Sequence, residues 1–259
     1  MEWFEIEAGP FRPFCRSRYR EDFEAVGRAV AGRLDEVPDD ALIARYQRVR
    51  ERIQRAAERC GRDPAKILLL AVTKKFSADV VRAAYALGMR EFGENYVQEF
   101  EVKQPLLHDL PDARFHLIGH LQSNKARKAV ELFHTIQTID STKLAERVDG
   151  MGVKLDVMIE VKLSDEESKH GAAPEEVGEI VAALRAARNL RLTGLMTIPP
   201  WSEDPEAPRP YFRRLRELNE RFGLPELSMG MSNDIETAIE EGSTIVRVGT
   251  ALFGPRRKA

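Results

Sequence analysis

Lys74 and Lys75 follow the six apolar residues at 67–72 and Thr73, where a buried strand would exit. A lysine held at the end of a buried strand is partly desolvated. That lowers its pKa and leaves a neutral amine able to attack an aldehyde and form a Schiff base. The plainer reading, two solvated lysines after a strand, is the commoner fate of this residue type. Alternation puts Leu68, Leu70, Val72 and Lys74 on one face and Leu69, Ala71, Thr73 and Lys75 on the other. Both faces are apolar, so periodicity does not choose between the two lysines.

A second signal lies near the C-terminus, where Ile245, Val246, Arg247 and Val248 run into Gly249 and Thr250. Gly249 lets the backbone approach a ligand, and amides at the start of a following helix suit an anion. Met229, Gly230, Met231, Ser232, Asn233 and Asp234 supply a neighbouring loop with a glycine, a hydroxyl and a helix start. Ordinary turn and capping chemistry accounts for Ser232 and Asp234 equally well. Taken with a strand-end lysine, the two loops point to a phosphate-bearing aldehyde. Asn95 follows Phe92, Gly93 and Glu94 as a rim group or a helix cap. His116 and His120 have no third ligand nearby and no HExxH spacing, so they read as core or rim histidines and no metal is expected.

The elements that must position these groups alternate from Asp39 onward. Leu42, Tyr46, Val49 and Ile53 form one helical stripe, which Gly61 stops. Eight strands follow at 67–72, 91–92, 114–118, 135–139, 155–161, 190–196, 226–228 and 244–248, each trailed by a helix. Ser77, Ser123, Ser141 and Asp234 are candidate caps, and Pro174 and Pro210 fit a first helical turn. Eight strand–helix units predict a closed (β/α)8 TIM barrel in preference to an open doubly wound sheet, with working residues at the C-terminal strand ends. Residues 1–37 stand apart as an N-terminal extension, helical or partly disordered. There Arg12, Arg16, Arg18 and Arg20 make a solvated basic face, and residues 38–259 form the barrel.

The 259 residues allow one domain or two, and one barrel of about 250 uses nearly all of them. The chain is 43% hydrophobic and 32% charged, with a net charge of -2, which argues against a nucleic-acid binder relying on a strongly basic face. Its longest apolar run is far below the roughly 20 residues of a membrane span, and no basic flank precedes an apolar signal. Cys15 and Cys60 form no CxxC, and a reducing cytoplasm fits best.

Five ordered motifs carry a resemblance. They are Ala71-Val72-Thr73-Lys74; Phe92-Gly93-Glu94-Asn95-Tyr96-Val97-Gln98-Glu99; and His116-Leu117-Ile118-Gly119 with Leu121-Gln122-Ser123-Asn124-Lys125. Gly194-Leu195-Met196 is the fourth, and the fifth joins Leu227-Ser228-Met229-Gly230-Met231-Ser232 to Val246-Arg247-Val248-Gly249-Thr250. From about Asp39 to Arg256 the sequence resembles the pyridoxal phosphate homeostasis protein family. That resemblance implies the alanine racemase N-terminal barrel without the racemase's second, β-rich domain, for which this sequence leaves no room.

The resemblance also implies pyridoxal 5'-phosphate as cofactor. Lys74 matches the lysine that holds it as an internal aldimine, and Ser232, Gly249 and Thr250 match the phosphate cradle. Arg247 matches an arginine facing the pyridine nitrogen, and Asn95 and Met196 match residues lining the cofactor. An arginine there disfavours a protonated pyridinium and weakens the ring as an electron sink. The implied role is therefore buffering or delivery of the cofactor, with PLP-dependent apo-enzymes as recipients and no catalytic residue. A monomeric cytoplasmic protein is expected, without nucleic-acid or membrane partners. The alternatives are a PLP-dependent amino-acid racemase and a phosphosugar lyase using a lysine Schiff base without cofactor. Lys75-Phe76-Ser77 replaces the proline that often follows the family's lysine motif, which predicts a differently shaped loop. Lys169 resembles a family lysine that engages a second cofactor molecule or its exit route.

Overall fold

The computed structural model describes residues 39–255 except 165, 167 and 168. The expectations for residues 1–37 lie outside the described residues. Helix α1 (Asp40–Arg59) begins where the Asp39 carboxylate accepts from the Leu42 amide. It buries Leu42, Val49 and Ile53, each contributing about 1.5–3 kcal/mol by leaving water. The chain then alternates: β1 (Leu68–Val72), α2 (Ala78–Ala86), β2 (Glu91–Glu94), α3 (Val97–Lys103), β3 (Arg114–Leu117), α4 (Ala126–Leu132), β4 (Thr135–Ile139) and α5 (Thr142–Asp149). It continues with β5 (Leu155–Glu160), α6 (Val177–Ala186), β6 (Leu190–Met196), α7 (Arg209–Arg221), β7 (Glu226–Ser228), α8 (Ile235–Glu240), β8 (Ile245–Val248) and α9 (Thr250–Phe253).

Each strand pairs in parallel with the next and β8 returns to β1, so the sheet closes into an eight-stranded barrel. All eight expected strands are present. β2 runs two residues beyond the expected 91–92, because Glu91 to Glu94 all find register partners on β3. The expected caps divide. Ser141 accepts from the Leu144 amide, whereas Ser77 turns to Asp79, and Ser123 opens a 3₁₀ turn ahead of α4. Asp234 accepts from the Met231 amide and so shapes its loop instead of capping α8.

Closure separates two apolar regions. The larger packs the helices on the outside of the sheet, with Phe92, Phe100, Ile136, Val157 and Phe212 in it. The smaller lies inside the barrel and consists of Leu68, Leu70, Val72, Ile118, Met158 and Ile245. At the N-terminal mouth the interior turns polar around a cavity of about 170 Å³, bordered by Arg114, His116, Asp156 and Arg191. Arg191 there donates to both Asp156 oxygens at 2.7 and 2.6 Å. Among the described residues no helix is long and apolar enough to cross a membrane.

Candidate active site at the C-terminal barrel mouth

Leu68, Leu70 and Val72 all belong to the interior cluster, and Lys74 sits in the turn two residues beyond the end of that inner row. Lys74 is half-buried, while Lys75 is exposed with a left-handed φ of 64°. A non-glycine residue in that region is uncommon and is held there by its surroundings. The Lys75 amide donates to Glu99 Oε1 at 2.5 Å. Thr73 donates from its amide to the Gly93 carbonyl at 2.9 Å and from its hydroxyl to Glu94 Oε1 at 2.8 Å. Lys103, 6% exposed, donates to the Thr73 carbonyl at 3.0 Å, to Glu94 at 2.7 Å and to Glu99 at 3.2 Å. The residues on either side of Lys74 are thus clamped. The Phe76 amide closes the turn onto Thr73, and the Phe76 ring meets Phe253 of α9 with centroids 5.3 Å apart.

Arg247 lies on the interior face of β8, 3% exposed, and pairs in register with Leu70, four residues before Lys74. Its Nη1 donates to Ser228 Oγ and its Nη2 to the Thr197 carbonyl, each at 2.8 Å. Burial pulls the guanidinium down to about 10, against the opposing fields of Asp234 and Glu160, so it stays charged at neutral pH. Met196 is fully buried at the end of β6, opposite Glu160 on β5 and Ser228 on β7.

Asn95 follows β2 at the same mouth. Its Oδ1 is buried and has no hydrogen-bond partner among the described residues, an acceptor that a ligand could satisfy. The backbone there is tight: a Cβ on Gly119 would fall 2.2 Å from the Asn95 carbonyl oxygen.

On the far side of the mouth, Ser232 Oγ accepts from the Ala251 amide at 3.1 Å, tying the loop after β7 to the start of α9. Gly249 is the N-cap of α9 and Thr250 its first, exposed residue. A Cβ on Gly249 would meet Val72 at 3.5 Å, an ordinary contact, so protein packing alone does not demand glycine there. Asn95, Met196, Ser232, Arg247, Gly249 and Thr250 therefore gather with Lys74 at one end of one barrel. Together they present an amine, an unpaired acceptor, a buried cation and a glycine–hydroxyl cradle, a set that fits a phosphorylated aromatic aldehyde.

Several residues here escaped the sequence reading. Lys103 makes the clamp with Glu99 of the second motif, and their i,i+4 spacing on α3 was the available signal. Arg52 on α1 donates to the Ser232 carbonyl at 2.8 Å while pairing with both Glu236 oxygens at 2.6 Å. Arg45, two turns earlier, donates to the Leu252 carbonyl at 2.6 Å. Glu160 ends β5, 5% exposed, with Oε2 unpartnered among the described residues. Burial pushes its carboxyl up to about 7, and Arg247 opposes that rise.

The two histidines part company. His116 is buried lower in the barrel against Glu91 and Gln137, while His120 stacks on His170 at the rim with centroids 3.9 Å apart. Lys169 lies near that rim, its Nζ 3.5 Å from the Pro199 carbonyl and 3.8 Å from Glu166.

Residues 45–257 match the family described as the alanine racemase N-terminal domain. The chain is 45% identical over 223 residues to the pyridoxal phosphate homeostasis protein of Aquifex aeolicus, covering 82% of this chain and 97% of that one. The chain belongs to the pyridoxal phosphate homeostasis protein family. The Escherichia coli member is 43% identical over 219 residues, covering 80% of this chain and 94% of its own length. A solved family structure, PipY of Synechococcus elongatus with PLP bound, is 40% identical, with a TM-score of 0.70 over 78% of this chain and all of that one. Alanine racemase of Clostridium difficile shares the fold alone, at 16% identity and a TM-score of 0.63, and its match takes in 58% of the racemase chain.

Proposed function

We propose that the barrel of residues 38–259 binds pyridoxal 5'-phosphate and buffers or delivers it to apo-enzymes in the cytoplasm, with little or no turnover of its own. One relationship carries the reading: Lys74 lies in the turn just beyond the interior row Leu68, Leu70, Val72, on the exit of a strand whose neighbour presents the buried Arg247. The relatives' names and the PLP-bound PipY structure support it from outside the chain.

In this reading Lys74 would hold the cofactor through its amine, while the Glu94–Lys103–Glu99 clamp keeps the Lys74 backbone in place. Ser232, Gly249 and Thr250 take the phosphate, and the Asn95 amide and Met196 line the ring. Arg247 would meet the ring nitrogen as a cation and disfavour its protonation, which would leave the ring a weak electron sink. Bound pyridoxal phosphate supplies a reactive aldehyde; this chain's residues hold it and leave its carbanion chemistry weak.

The test is the visible spectrum of the purified full chain after incubation with pyridoxal phosphate, beside Lys74→Ala. An imine band in the wild type that is lost in the variant is expected; an unchanged band in Lys74→Ala would overturn the assignment. Incubation of the loaded protein with single amino acids is expected to leave their chirality intact. Stereoinversion at useful rates would replace the carrier reading with a racemase.

A further inference from the structure

Arg247 is the upper end of a buried hydrogen-bond chain that crosses the barrel interior. Its Nη1 donates to Ser228 Oγ at 2.8 Å; the Ser228 hydroxyl donates to Gln137 Oε1 at 2.6 Å. Gln137 Nε2 meets His116 Nδ1 at 3.0 Å, and His116 Nε2 meets Glu91 Oε2 at 2.6 Å. Gln137 and Ser228 are fully buried, and His116 and Glu91 are 4% and 5% exposed.

The polarity of the chain follows from its end. A guanidinium only donates, so Ser228 Oγ must accept from Arg247 and spend its own proton elsewhere. Gln137 Oε1 takes that proton, which turns the amide nitrogen toward His116. His116 Nδ1 must then accept, leaving its proton on Nε2 to be donated to Glu91. Every donor points the same way, from Arg247 on β8 through β7, β4 and β3 to Glu91 on β2.

We propose that Gln137 and Ser228 are positioning residues that fix the Arg247 guanidinium in the orientation it presents to a bound pyridine ring. The inference deepens the proposed function and rests on its reading of Arg247 as the partner of the cofactor's ring nitrogen. Without an acceptor at position 137, the buried Ser228 proton is left unsatisfied, and a change in χ1 that carries the hydroxyl to another acceptor takes Oγ away from Nη1. The Thr197 carbonyl then holds the guanidinium by one nitrogen alone, and the plane is free to rotate.

Two variants of the full chain separate positioning from general packing. Gln137→Met keeps the volume and removes the acceptor; Gln137→Glu keeps an acceptor for Ser228. The first readout is the 15N resonance of the ring nitrogen in labelled pyridoxal phosphate bound to each protein. In Gln137→Met it is expected to move downfield, toward a pyridine without a donor, with affinity weakened on the order of tenfold. In Gln137→Glu it is expected to stay near the wild-type position.

The second readout needs no cofactor. The Arg247 Nη–H signals are expected to be separate in the free wild-type protein and averaged by rotation in Gln137→Met. Unchanged Nη signals and an unchanged ring-nitrogen resonance in Gln137→Met would overturn the inference, as would a Gln137→Glu protein that behaves like Gln137→Met. A wild-type chain that takes up no cofactor would instead sink the proposed function, and the Nη signals alone would then decide the positioning role.

Discussion

The guanidinium of Arg52, on the helix that precedes the barrel, donates to the carbonyl oxygen of Ser232 at 2.8 Å. Ser232 in turn accepts the Ala251 amide, so α1 braces the loop proposed to cradle the phosphate. Arg52→Ala removes that brace and frees Glu236. Both side chains are partly exposed, so the cost to folding is held to about 1 kcal/mol by solvent screening. Cofactor affinity is expected to fall on the order of tenfold, because the displaced hydroxyl no longer meets the phosphate. Absorbance titration with pyridoxal phosphate, paired with thermal melts, checks both numbers; an unaltered affinity would show that the brace is only structural.

Lys103 is the hub of the clamp around Lys74, and its removal isolates a buried carboxylate. Burial raises the Glu94 pKa while the Lys103 charge opposes the rise. Lys103→Met should cost about 3–5 kcal/mol at pH 8, the penalty of an uncompensated buried charge. A carboxyl whose folded pKa lies above its unfolded value favours folding at low pH and loses that contribution as pH rises through the folded pKa. The deficit of Lys103→Met should therefore shrink on acidification, and Lys103→Met with Glu94→Gln should recover part of it at pH 8. Urea unfolding at pH 5 and 8 reads both effects. A pH-independent deficit would mean that lost packing, not stranded charge, is the cause.

The barrel was legible because short strands, apolar runs such as β1 above all, alternate with helices, a pattern that survives without tertiary information. The choice between Lys74 and Lys75 was legible in the family motif but not in periodicity. β1 packs apolar side chains on both faces, and only closure of the sheet separates Leu70 from Ala71 as interior and exterior. The supporting residues were hidden for a related reason. Arg52 and Ser232 are 180 residues apart, and Ser228 and Gln137 are 91 apart. Glu160 lay unremarked inside the expected strand 155–161, since periodicity does not show that its carboxyl is buried. Asp234, read as a helix cap, instead accepts from the Met231 amide of its own loop.

Gly119 and Gly249 border the same mouth but answer to different constraints, and one substitution at each separates them. A Cβ at Gly119 would lie 2.2 Å from the Asn95 carbonyl oxygen and 2.8 Å from its Cα, both backbone atoms that cannot swing away. Gly119→Ala should push the ends of β2 and β3 apart, costing about 3 kcal/mol or more and displacing Asn95. At Gly249 the new methyl would make an ordinary 3.5 Å contact with Val72. Gly249→Ala should leave the melting temperature nearly unchanged while weakening cofactor uptake at least tenfold. If both variants lose stability alike, the glycine at 249 serves the fold and not the ligand.

The cost of Glu160 to the free protein depends on pH in a defined direction. Burial lifts its carboxyl from 4.5 to about 7 in spite of the Arg247 charge, and Asp140 adds to the rise. Between pH 4.5 and 7 the folded state binds more protons than the unfolded chain, so stability falls as pH increases through that window and levels off above it. Glu160→Gln abolishes the titration. Relative to this variant, the wild type should lose about 3 kcal/mol between pH 4.5 and 8, an order-of-magnitude figure set by the size of the shift. Denaturant unfolding of the cofactor-free pair at pH 5, 6, 7 and 8 measures the difference directly. Parallel stability curves would show that Glu160 ionises at its ordinary value and that its buried oxygen finds a partner in solution.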